Sequence, residues 1–147
     1  MWSYLEKNSF AFTIFEETQL LLEDIQTLID HSITKKYQFQ KTAKQLTEIQ
    51  DSFHRIYEIG PERIDSMFEA ESTTSGYFYR DVKEICVTYQ QESKPYIEQN
   101  PQFSATLILL SSQFAKLNVN AKKIRELSEH ASDLRSLHNQ RKMPSRN

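Results

Sequence analysis

The chain has 147 residues, 38% hydrophobic and 26% charged, with a net charge of −2. That length suits one domain with a real core, and the composition excludes a disordered tail. No apolar run approaches the roughly 20 residues that span a bilayer, and the near-zero net charge argues against nucleic acid as principal partner.

Residues 1–9 read as a separate opening segment. Met1-Trp2-Ser3-Tyr4-Leu5-Glu6-Lys7 has no basic region followed by an apolar stretch, so no secretory signal is expected. Asn8-Ser9 offers a cap before the apolar group Phe10, Phe12, Ile14 and Phe15. A heptad then begins at Leu21 and continues through Ile25, Leu28, Ser32, Lys35, Phe39, Thr42, Leu46, Ile49, Phe53 and Ile56, in alternating steps of four and three. The pattern predicts one long helix to about Glu58 with a single buried seam. Ser32 and Lys35 are polar insertions in that seam and mark a discontinuity over residues 30–36. They either set its register, or mark a bend or interruption near Ser32-Ile33-Thr34 that turns Ile33 into the core.

Gly60 and Pro61 are the first glycine and proline of the chain. They suit the stop of one helix and the first turn of the next. A second helix is expected from Glu62 to Glu71, and Ser72-Thr73-Thr74-Ser75-Gly76 reads as a loop. A third helix follows from Tyr77 to Lys94, with Phe78, Val82, Ile85 and Tyr89 inward, and Pro95 and Pro101 bracket a break. The last helix runs from Gln102 to about His138 through Phe103, Leu107, Leu110, Phe114, Leu117, Ala121, Ile124, Leu127, Ala131 and Leu134. Residues 140–147 form a frayed basic tail.

The expected fold is all-α: a single domain over residues 1–147 built as an elongated antiparallel helical bundle. Its coiled-coil-like form has three layers, with long first and last helices and the two shorter ones laid end to end between them. The alternative is a four-helix up-down-up-down bundle. Residues 1–34 carry a net charge of −5 and residues 116–147 one of +5. The two ends either lie against each other or face partners of opposite charge.

Nothing in the chain spells catalysis, a cofactor site or a metal site. Asp51 and His54 share a helical face, as do Glu126, His130 and Asp133, yet no Glu-x-x-His pair of the di-iron type occurs. Cys86, beside Ile85, reads as a structural thiol without a base. As the sole cysteine it fits a reducing, cytoplasmic setting.

Two surfaces remain for partners. Trp2, Tyr4, Phe10, Phe12, Ile14 and Phe15 crowd into fifteen residues and suit a protein interface, with itself or another helical protein. Lys122, Lys123, Arg125, Arg135, Arg141 and Lys142 could meet an anionic partner, a membrane surface included. Three long amphipathic helices with basic residues, and the stretch from Leu28 through Phe39 to Phe53 in particular, resemble in pattern the BAR family of membrane-curving dimers. That resemblance implies a membrane-surface module. The leading expectation is a non-enzymatic interaction module, an adaptor or complex subunit that self-associates through the aromatic opening; a helical-bundle enzyme or metal protein ranks last.

Overall fold

The computed structural model describes residues 10–34, 37–59 and 74–129. Among these residues there are four helices and no strands: α1 (Phe10–Thr34), α2 (Gln40–Ile59), α3 (Thr74–Gln99) and α4 (Ala105–Glu129). A 3-10 turn, Pro101–Phe103, joins the last two. Around the core the order is α1, α2, α3, α4. α4 packs closely on both α3 and α1, and α3 on α2, whereas α1 and α2 are the loosest of the neighbouring pairs.

The single long helix expected over Phe10 to Glu58 is therefore two, interrupted before Gln40. This corrects the three-layer reading, and with it the three long helices on which the BAR resemblance rested. Yet the heptad survives the break. Leu21, Ile25, Ser32, Phe39, Thr42, Leu46, Ile49, Phe53 and Ile56 are all buried, and Leu28 is half-buried. A seam folded on itself still faces one core from both halves. Ser32 satisfies its buried hydroxyl by donating to the Leu28 carbonyl at 2.8 Å, a local bond that removes the cost of burying a polar group.

Aromatic residues, not glycine or proline, build the turn. Tyr37 meets Tyr96 edge-on at 4.9 Å, and Phe39 lies 5.5 Å from Tyr89 and 6.0 Å from Tyr96 between ring centres. The Gln38 amide donates to the Tyr96 hydroxyl at 3.1 Å. α2 begins without a polar cap of its own, because Phe39 precedes it. Glu92 of α3 supplies one across the bundle: its Oε1 accepts from the Thr42 amide at 2.8 Å and the Thr42 hydroxyl at 2.5 Å, and its Oε2 from the Lys41 amide at 3.3 Å. A carboxylate over free N–H groups at a helix start is favoured by hydrogen bonding and by the helix dipole. Glu92→Ala is expected to lower stability by about 1–2 kcal/mol, read as a lower urea midpoint at unchanged slope.

α3 starts three residues before the expected Tyr77, taking Thr74 to Gly76 from the supposed loop, and does not stop at Pro95. An interior proline costs about 3 kcal/mol through a lost hydrogen bond and a clash. Here Pro95 is exposed, as is Gln91, whose carbonyl loses its partner, so water can reach it. Tyr96 and Ile97 pack on the core beyond it and draw the helix on. α4 begins at Ala105, after Ser104 caps the Pro101 carbonyl at 2.7 Å. The expected helix Glu62–Glu71, the opening segment 1–9 and the last helix past Glu129 lie outside the described residues.

The core joins all four helices. Phe15, Phe39, Phe78, Tyr89 and Phe114 are its largest fully or nearly fully buried side chains. Tyr89 sits 4.9 Å from Phe114 and donates its hydroxyl to the Leu107 carbonyl at 2.6 Å.

Candidate interaction surface

Of the expected aromatic interface, Ile14 and Phe15 are 3% and 0% exposed and belong to the core. Phe15 packs against Phe53 at 6.1 Å and Tyr57 at 6.4 Å. These two are spent inside the chain, which corrects the expectation that they face a partner. Their apolar surface finds α2 within reach once the chain turns back on itself at residues 37–39. Phe10 and Phe12 lie on the first turn of α1, but their side chains, with Trp2 and Tyr4, fall outside the described residues.

The basic candidates divide as well. Lys122 is exposed and Lys123 half-buried. Arg125 holds its guanidinium 5.4 Å from the Tyr79 ring centre, and the Lys83 ammonium lies 5.3 Å from the same ring. Arg125 is thus engaged within the bundle, tying α4 to α3 through a cation–π contact. Arg135, Arg141 and Lys142 lie outside the described residues.

His54 pairs with Glu58 at 3.0 Å, not with Asp51. Among the described residues no group of three or more His, Cys, Asp and Glu is placed to hold a metal ion, and no helix is long and apolar enough to cross a membrane. Cys86 is half-buried beside the Phe114 carbonyl at 3.5 Å, and burial pushes its thiol up from 9.0 to about 11. A nucleophile needs the opposite shift. Near neutral pH, iodoacetamide is expected to alkylate it about a hundredfold more slowly than a free cysteine. The rate should climb with pH until the thiol ionises. Between pH 9 and 11 the unfolded chain gives up a proton that the folded chain keeps, so stability falls as pH rises through that window.

Between α1 and α2 lies a shallow cleft of about 230 Å³, lined by Gln19, Leu22, Gln50, Phe53 and His54. Two polar bridges flank it. The Tyr57 hydroxyl donates to Glu16, and Gln50 donates to Gln26 at 3.1 Å. The bond to Glu16, with partial burial and the adjacent negative charge, lifts the Tyr57 phenol from 10.0 to about 12. Leu22 and Phe53 are 4% and 3% exposed, so neither side chain has much surface left to offer there.

The surface with something to offer is the outer side of α4. The inward row Leu107, Leu110, Phe114, Leu117, Ala121 and Ile124 is buried. On the opposite side Ile108 and Val119 are 56% and 51% exposed, and Leu109, a quarter turn to one side, is 46% exposed. Ser112 and Ala115 are exposed between them. Ile108, Ser112, Ala115 and Val119 follow steps of four, three and four, which place them on one stripe of the helix. This second row is present in the sequence. It passes unnoticed because the inward heptad already accounts for an apolar period in the same segment, and a helix apolar on two sides weakens the contrast that marks either one. Lys116 and Lys122 flank the row, and the neighbouring helix α1 exposes Glu17, Glu23, Asp24 and Asp30.

No protein-family model, curated protein or solved structure matches the chain.

Proposed function

We propose that the protein is a non-enzymatic helical interaction module, an adaptor or a subunit of a complex, whose docking face is the outward side of α4. Its scaffold in this reading is an antiparallel up-down-up-down bundle. The ordered pairs Glu16–Tyr57 and Gln26–Gln50 support that sense for α1 and α2, and Thr42–Glu92 with Gln38–Tyr96 support it for α2 and α3.

The observation that carries the reading is the two-sided apolar character of α4. One row is consumed by the core, and Ile108 and Val119 stand about half exposed on the other, with Leu109 at its edge. Single exposed apolar residues are ordinary, but grouped ones on a helix mark an association surface. The acids on α1, beside α4, would repel the anionic headgroups that Lys116 and Lys122 would otherwise attract, so a protein partner is favoured over a membrane. A reducing, cytoplasmic location belongs to the same reading, supported by the lone half-buried thiol.

A photoreactive amino acid placed at Val119, activated in the cell that makes the protein, tests this. Discrete cross-linked products at 119, absent when the probe replaces exposed Glu48, are expected. Equal labelling at both positions, or none at 119, would overturn the docking face.

A further inference from the structure

We infer that the outward face of α4 docks on the same face of a second copy of this chain, as a two-fold pair of antiparallel helices. The inference rests on the reading of α4 as a docking face and names its occupant.

The reason lies in the order of sizes along the row. Ile108, Ser112, Ala115 and Val119 run large, small, small, large, and their spacing reads the same in both directions. A two-fold interface uses one patch twice, so the patch must complement its own reverse. Setting Ile108 opposite Val119 of the second copy sets Ser112 opposite Ala115, and symmetry repeats both pairs. Two β-branched side chains from each copy then bracket a centre of small ones, where the helix backbones can approach closely. A different partner helix would require no such symmetry of this chain.

Charge is compatible with this register. Lys116 falls opposite Ser111 of the second copy, which leaves the two copies of Lys116 about 7.5 Å apart along the pair, a mild repulsion that should make pairing firmer as salt rises, and Lys122 and Lys123 lie beyond the end of the row. The area is small. Ile108 and Val119, about half exposed, with Leu109 beside them, make a patch of roughly a few hundred Å² per copy. That lies at the low end of specific interfaces, below about 1,200 Å² in total, where pairing is weak and transient.

Sedimentation equilibrium on the full chain, from low to several hundred micromolar, should show the mass rising from one chain to two. Ile108→Asp and Val119→Asp should remain single chains at every concentration, with helical content unchanged and with the wild type's melting temperature at low concentration, where the wild type is single too. Register is read by cysteine pairing on a Cys86→Ser background. Ile108→Cys mixed with Val119→Cys should form linked pairs at least tenfold faster than either variant alone, because like positions sit about 16 Å apart along the pair. A wild type that stays single throughout would overturn the pairing, as would equal or faster linkage between like positions. So would a single chain that binds vesicles of anionic lipid through Ile108 and Val119. If the purified chain stays single while the probe at 119 still links to a different protein in the cell, only the second-copy inference falls. If nothing links at 119, both fall.

Discussion

Tyr89→Ala is expected to lower stability by about 3–5 kcal/mol. Tyr89 is 1% exposed and touches two other large rings, Phe39 at 5.5 Å and Phe114 at 4.9 Å. It therefore joins the turn before α2 to α3 and α4. Removing it opens a cavity bounded by three separate pieces of the chain, which cannot all relax into the gap. Tyr89→Phe isolates the hydroxyl. It removes one donor from the Leu107 carbonyl, which also accepts from Ser111 at 3.2 Å, so the acceptor is not stranded and the loss should be nearer ~1 kcal/mol. Chemical denaturation of the two variants checks both values. Near-equal losses would show that the ring packing matters less than its position implies.

Phe15→Ala should cost a similar amount, about 3–5 kcal/mol, and for a reason that bears on where partners bind. Phe15 is 0% exposed and packs on Phe53 and Tyr57 of α2. If its burial is internal, the drop in melting temperature is the same at every protein concentration. A partner-facing Phe15 would give a loss that shrinks on dilution, because the wild type would itself lose the stabilising contact as concentration falls. Thermal melts across a hundredfold range of concentration separate the two. Self-association should be unaffected in the fraction that remains folded, because Phe15 is no part of the α4 row.

The inward faces of these helices were legible because burial writes itself as period. Leu46, Ile49, Phe53 and Ile56, or Leu107, Leu110, Phe114 and Leu117, repeat in steps of three and four and are buried as that repeat implies. Periodicity says which side of a helix is covered, and says nothing about whether the helix continues. Phe39 and Thr42 keep the phase of Ser32 across a turn, so the apolar pattern reads straight through it, and only the polar Ser32 and Lys35 in the seam marked a discontinuity over residues 30–36. No glycine or proline announced it, since the turn is held by Tyr96 and Glu92, residues some fifty or more positions away. Pro95 misled in the other direction: a local stop signal was overruled by Tyr96 and Ile97 packing beyond it. The outer row of α4 was obscured for a related reason. An apolar residue in a helix counts first towards the core, and only the observed exposure of Ile108 and Val119 divides one row from the other.

The carboxylate of Glu92 has a consequence for the order of events in folding. The start of α2 is completed by a side chain 50 residues further along, in a helix that has yet to arrive when α2 first condenses. A short helix with unfilled amides at its beginning frays readily, because the first turn is the costly one to form. α2 is therefore poorly suited to stand as an early, autonomous seed. Its first turn becomes secure only when α3 closes over it, so a step of long sequence separation must precede the firm setting of a local one. The hairpin of α3 and α4, joined by the short turn at Pro101–Phe103 and close-packed along its length, needs no such help and is the natural nucleus. The expected signature is φ-values higher at Leu110 and Phe114 than at Leu22 and Leu46.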